Sequence, residues 1–306
     1  GDFAGRAELV ERGLPVFGHD TVRVVSQREL AGALPERRVS LGGGRVLVSG
    51  TVEHPIITYT LNISTQVWSV IDPDPFDGGS SAMYVPGKII KSGTSFDPDD
   101  PVVPSVATTY VLDMSQPLPR WQATPPMAYP RTYHTLTVLP DGDVLATGGG
   151  TTTNAVGVTA AVLPAEIWSP ETQTWTTVAS MSAPRLYHST ALLMPDARVL
   201  VLGGGRFNGV NEPTDQKSAQ YYSPAYLFNG PRPTITSAPT TISYGGTFTV
   251  QTPDAARIAA VSFIRLGSVT HAVNMDQRLV PLAFTPGSGS LDIQAPANGN
   301  LAPPGY

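Results

Sequence analysis

"YPRTYHTLTVLPDGDVLATGGG" (129–150) and "APRLYHSTALLMPDARVLVLGGG" (183–205) are two copies of one pattern, and their spacing decides the fold. His134 and His188 lie 54 positions apart, and the glycine runs 148–150 and 203–205 lie 55 apart. Trp68, Trp121 and Trp175 keep the same beat, at intervals of 53 and 54. Weaker copies, "RRVSLGGGRVLVSG" (37–50) and "SAMYVPGKIIKSG" (81–93), precede them and bring the count to four units. Each unit reads as an apolar strand, a turn, a second strand ending in glycine, a variable loop, a third strand such as "AEIWSP", and a fourth holding tryptophan.

Each part has a physical reason. "LPDGD" (139–143) is a hairpin turn, because Asp and Gly tolerate the positive φ that a two-residue connection needs. Glycines at strand ends let backbones approach where sheets converge. The tryptophans are large enough to fill the space between neighbouring sheets. A period of about fifty with four strands per unit is the pattern of a kelch-type β-propeller. The β-branched runs lack a 3.6-residue period, which excludes a helical solenoid.

The repeat covers 36–229, while 1–35 fit no clean copy and read as a remnant of a preceding blade or a linker. Prolines 231, 233 and 239 mark a boundary where the period stops. Beyond it "TFTVQT", "IAAVSFIRLG" and "RLVPLAFT" stand at sandwich spacing and predict an immunoglobulin-like β-sandwich over 230–306. The fold class is therefore all-β, a propeller followed by a sandwich, and both domains read as incomplete. Four blades are too few for the usual large ring, and the second domain falls short of the ~100 residues of a full sandwich.

Composition agrees. The 306 residues hold 30 Gly and 30 Pro, which suits many short strands, and 41% hydrophobic content is too much for a disordered chain. A net charge of −5 gives no reason to expect nucleic acid or an anionic membrane as partner. No apolar run approaches the roughly 20 residues that span a bilayer. The chain starts at Gly1 without a visible signal peptide, as an excerpted or processed product would. There is no cysteine, so disulfides, thiolate metal sites and thiol nucleophiles are excluded from these residues.

"RLYHSTALLMPDARVLVLGGG", "SAQYYSPAYLFNGPRPTI" and "GSVTHAVNMDQRLVPLAF" together resemble the galactose oxidase / glyoxal oxidase family of copper radical oxidases. The likeness covers nearly all of 37–306, and the third stretch is the most specific. The resemblance implies a seven-bladed propeller, of which about four blades are present, and a following domain whose hairpin enters the axial channel. It also implies copper held by two histidines, an axial tyrosine and an equatorial tyrosine cross-linked to cysteine. By matching motif, Tyr187 is the axial tyrosine and catalytic base, His188 the first histidine and His271 the second. Imidazole and phenolate donors suit Cu(II), and a nearby cation favours the phenolate of a group whose ordinary pKa is about 10.

The family's cysteine has no counterpart, so the Tyr–Cys radical cofactor cannot be assembled within this chain. Its equatorial tyrosine would lie in blades preceding residue 1. Either the missing blades belong to a longer parent or a second chain, or this is a family member without the chemistry. The first alternative makes the chain the C-terminal part of a secreted oxidase that converts a primary alcohol or aldehyde with O2 and releases H2O2. Its partners would be a small alcohol, aldehyde or carbohydrate substrate and the missing blades. The second makes it a non-catalytic extracellular module that binds carbohydrate or packs in an assembly.

The dipeptide Tyr133-His134 duplicates Tyr187-His188 and reads as structural, with a buried imidazole satisfied by a backbone carbonyl. His271 separates the two pairs, being present once and outside the repeat. Neighbouring residues of a regular strand face opposite ways, so Tyr187 and His188 can share a metal only if the chain is irregular there. "FDPDDP" (96–101) reads as a solvated turn rather than a calcium loop. "MDQR" (275–278) reads as a turn and a pairing site for the His271 hairpin, and Tyr221 and Tyr222 read as strand packing. His19 and His54 have no evident partner in the sequence.

Overall fold

The computed structural model describes residues 36–41, 44–51, 57–75, 79–94, 103–152, 160–205, 215–270, 272–275 and 277–304. The segment 1–35 with His19, His54 and the aspartates of 96–101 lie outside the described residues.

The repeat becomes four antiparallel sheets. The first is β1 (Glu36–Leu41), β2 (Arg45–Thr51), β3 (Thr58–Asn62) and β4 (Val67–Asp72). The second is β5 (Ser80–Val85), β6 (Lys88–Ser92), β7 (Thr109–Asp113) and β8 (Gln122–Thr124). The third is β9 (Thr132–Val138), β10 (Val144–Gly150), β11 (Pro164–Ser169) and β12 (Thr174–Ser180). The fourth is β13 (Ser189–Leu193), β14 (Val199–Gly203) and β15 (Ala219–Tyr222), three strands among the described residues where the repeat predicts four. Each sheet is a meander, and their first strands β1, β5, β9 and β13 succeed one another as neighbours, as the inner strands of propeller blades do. Burial follows from this placement. Inner strand β9 is buried at all but one position and β10 throughout, whereas outer strand β12 has no buried residue.

A turn forms at 139–143, but it is longer than the two-residue connection expected. Leu139 N–H donates to the Asp143 carbonyl, Gly142 N–H donates to the Leu139 carbonyl, and Gly142 (φ 96°), not Asp141, takes the positive φ. In the fourth sheet Ala197 takes the corresponding left-handed conformation at φ 68°, which a residue with a Cβ adopts at a cost.

Tryptophans tie sheet to sheet through their polar edges. The Trp121 indole N–H donates to Thr58 Oγ1 of the first sheet at 2.7 Å, and that of Trp175 donates to Thr109 Oγ1 of the second at 3.0 Å. Trp168 is wholly buried and meets Tyr84 of β5 edge-on, with ring centroids 5.0 Å apart. Burial, helped by the charge of Asp113, pushes the Tyr84 phenol up to about 12. Trp68 departs from the expected filling role, for it is 43% exposed and meets only Tyr59 of its own sheet among the ring contacts described.

After the repeat, Ala225–Arg265 and Val280–Tyr306 make a separate compact unit, while Leu266–Leu279 group with Leu34–Pro224. The strands of the second region are β16 (Thr247–Gln251), β17 (Val261–Arg265), β18 (Val269–Thr270), β19 (Val273–Asn274), β20 (Arg278–Leu282), β21 (Phe284–Pro286) and β22 (Ser290–Gln294). They pair as β16-β22-β21, β17-β20 and β18-β19. The run "RLVPLAFT", read as one strand, is interrupted at Ala283 and serves two sheets. Between those sheets Val250, Val280, Leu282, Leu291 and Ile293 form an apolar core with Phe248 stacked on Phe263. The fold is thus all-β, with propeller sheets that do not close a ring among the described residues and a β-sandwich after them.

Candidate metal centre

The two quoted segments share more than a dipeptide. Arg131 and Arg185 also stand 54 apart, and both guanidinium groups are buried. Arg131 donates to the Gly148 carbonyl at 2.9 Å, to the Pro164 carbonyl at 2.6 Å and to the Glu166 carboxylate at 2.8 and 3.2 Å. Arg185 donates to the Gly203 and Ser218 carbonyls at 2.9 and 2.8 Å and to Ser218 Oγ at 3.1 Å. Each arginine therefore ties a glycine run to the third strand's approach. Burial pulls both groups below their ordinary pKa, and for Arg131 the Glu166 carboxylate opposes that pull.

The arginine carbonyls face the preceding sheet. Gly149 N–H donates to the Arg185 carbonyl at 2.7 Å, and Thr94 N–H donates to that of Arg131 at 2.6 Å. This contact explains the glycines. Gly148 sits at φ 74°, and a Cβ there would come within 2.4 Å of the Arg185 carbonyl oxygen.

From here the copies diverge. Strand β9 starts at Thr132, so Tyr133 and His134 lie inside it. His134 is fully buried, with Nε2 3.0 Å from Ser92 Oγ, so a side-chain hydroxyl stands where a backbone carbonyl was expected. Strand β13 starts only at Ser189, which leaves Tyr187 and His188 in a turn closed by Ser189 N–H to the Leu186 carbonyl at 3.0 Å. His188 takes φ 63°. This left-handed residue breaks the strand's alternation, and the Tyr187 and His188 rings come to lie side by side, centroids 3.9 Å apart and 34° inclined. The Tyr133 ring meets Tyr187 edge-on at 4.9 Å. Tyr187 is half-buried and His188 exposed.

The segment 266–279 forms a short hairpin, β18-β19, against the inner strands. Strand β19 lies beside β5 and β9, and β18 beside β13. Ser80 Oγ donates to the Ala272 carbonyl at 3.1 Å. Asn274 Nδ2 donates to the Leu136 carbonyl at 3.2 Å and to Gln277 Oε1 at 2.6 Å. The Gln277 carboxamide pairs with both backbone groups of Val138, accepting from its N–H at 2.8 Å and donating to its carbonyl at 2.7 Å. Within "MDQR" the pairing residue is Gln277, while Asp276 lies outside the described residues. His271 also lies outside them, and its neighbours Thr270 and Ala272 are described, the latter buried at φ 62°.

The arginines, Glu166 and the Tyr133 contact were missed in the sequence reading. A signal existed for the arginines, since the duplicated "PR-x-YH" carries them at the same offset as the histidines. Of the pair assigned to packing, Tyr221 is exposed and holds the Arg198 guanidinium over its ring at 4.0 Å.

Among the described residues no three His, Cys, Asp or Glu side chains gather as a metal cluster. The side chains at the start of β13 are a phenol, which as phenolate is an anionic oxygen donor, and an imidazole, an oxygen and nitrogen set of the kind that suits Cu(II).

Comparison with known proteins gives the family. Residues 87–226 match the family model "Glyoxal oxidase N-terminus", and 232–306 match "Galactose oxidase-like, Early set domain". A galactose oxidase of Gibberella zeae is 37% identical over 247 residues, covering 74% of this chain and 34% of its own. An aldehyde oxidase of Arabidopsis thaliana is 32% identical over 219 residues, covering 64% of this chain and 35% of its own. A solved fungal alcohol oxidase of the AA5 family, in complex with copper, superposes with a TM-score of 0.78 at 29% identity, over 89% of this chain and 59% of that one. The chain belongs to the galactose oxidase / glyoxal oxidase family. It spans about a third of the length of the curated relatives it matches, at 34% and 35%.

Proposed function

We propose that this chain is the C-terminal part of a copper radical oxidase that oxidises primary alcohols or aldehydes with O2 and releases H2O2. Tyr187, His188 and His271 would hold the copper. The observation that carries the reading is the turn before β13, where the Tyr187 and His188 rings lie 3.9 Å apart on one side of the chain. The hairpin that carries His271 in sequence has its strand β18 beside the same β13.

Copper bound there would supply one-electron redox capacity and Lewis acidity. The chain's own part is positional and acid–base. Tyr187 Oη takes the hydroxyl proton of the substrate alcohol. His188 and His271 would contribute neutral nitrogen donors. In the overall reaction the alcohol loses two electrons and two protons, and O2 takes both to become H2O2. The cross-linked tyrosine comes from outside these 306 residues, which contain no cysteine. We assign the domains as propeller blades over 36–229 and sandwich over 230–306, and the location as extracellular. No helix among the described residues is long and apolar enough to cross a membrane.

The absence of cysteine also favours the second reading, a non-catalytic module. Copper titration separates the two. The 306-residue chain should bind one Cu(II), detected calorimetrically and by electron paramagnetic resonance, and Tyr187→Phe, His188→Ala and His271→Ala should each weaken it. A chain that binds copper no better than its triple variant is the module. Peroxide release from primary alcohols, assayed on the longer parent protein, then tests the oxidase step.

A further inference from the structure

We infer that Gln277, together with Asn274, is a positioning residue that sets the register of the His271-bearing hairpin on the propeller's inner strands; this rests on the metal reading above. The hairpin has little to hold it by itself. Its ladder consists of two residue pairs, Val269 with Asn274 and Thr270 with Val273. Two such pairs do not make a stable ribbon in water.

What fixes it is a set of side-chain amides acting as an added strand. Leu136 and Val138 stand two apart on β9, so their backbone groups point to the same edge. On the other edge β9 pairs with β10. Gln277 offers Val138 an acceptor and a donor at 2.8 and 2.7 Å, the pair of bonds a neighbouring strand would make. Asn274 joins the Leu136 carbonyl to Gln277 Oε1. Both side chains are nearly fully buried, at 6% and 5% exposure, so these bonds do not compete with water. Gly267 leaves the room, since a Cβ there would come within 2.6 Å of Asn274 Oδ1.

A one-residue slip would forfeit all of these contacts and turn each hairpin side chain to the opposite face. Gln277 and Asn274 therefore act through the described backbone of 272–275, which adjoins His271 in sequence. Carboxamides suit the task because each presents donor and acceptor at once. A carboxylate in place of Gln277 keeps the bond from Val138 N–H but sets a second acceptor against the Val138 carbonyl.

The test is Cu(II) affinity and spectrum in the 306-residue chain, with Gln277→Leu, Gln277→Glu and His271→Ala beside the unchanged protein. Both Gln277 variants should bind copper about tenfold or more weakly, the range typical of residues behind a metal ligand. Their paramagnetic spectrum should lose one of two nitrogen couplings, as His271→Ala does. A purely structural role would lower unfolding temperature without changing that spectrum. If Gln277→Leu fails to fold, Gln277→Glu decides. Unchanged affinity and couplings in a folded Gln277 variant overturn the positioning role. No copper binding by the unchanged chain, or none lost in His271→Ala, overturns the metal reading instead.

Discussion

The segments 130–134 and 184–188 share four of five residues, yet they end as different objects. In the first, the strand starts before Tyr133, and His134 is sealed inside beside Ser92. In the second, the strand starts after His188, and the two rings stand together at its mouth. Both copies keep their arginine in the same work. The candidate ligand pair and the core filler are therefore separated by where the strand begins, and not by residue type.

The sharpest way to break that comparison is through the arginines. Arg131 faces a buried carboxylate, whereas Arg185 faces a serine hydroxyl and carbonyls. Glu166→Ala leaves a buried guanidinium without its counter-charge and should cost about 3–5 kcal/mol in denaturant unfolding. Ser218→Ala, which removes one neutral acceptor, should cost about 1 kcal/mol. Equal losses would mean the two arginines are not doing different electrostatic work.

The histidines come next. His134→Ala opens a cavity and removes the bond to Ser92, so stability should drop by about 2–3 kcal/mol while Cu(II) affinity per folded molecule stays. His188→Ala, at an exposed turn, should change stability by no more than about 0.5 kcal/mol and weaken Cu(II) on the order of a hundredfold. The reverse pattern would assign the ligand to the wrong copy. The smallest effect belongs to the sheet-to-sheet latch. Trp175→Phe keeps an aromatic ring, though a smaller one, and loses the bond to Thr109, at about 1 kcal/mol, read as a shift in denaturant midpoint without a change in slope.

Much of the fold could be read from spacing. The 54-residue beat and the "LPDGD" turn locate the sheets, because strand, turn and glycine are local requirements. Trp68 could not be read the same way, since its exposure depends on what adjoins the first sheet and not on its own repeat. Position 283, where "RLVPLAFT" changes sheets, is likewise a tertiary decision that a continuous, largely apolar run conceals. Around the candidate site, the dipeptide and the need for an irregular strand start were legible. The left-handed His188 was not, because nothing in the residue itself demands that conformation. Glu166 and Gln277 were hidden for another reason, as their partners lie 35 and 139 positions away.

The bonds from Thr94 and Gly149 into the arginine carbonyls all run one way, from a blade to its successor. The second and third blades are thus moulds for their successors, and the entry to β13 takes its shape from residues of the third sheet. Transplanting "PRLYH" into another repeat would move the letters without the mould. A graft that carries the upstream "TGGG" with it is the smallest unit that transfers the form.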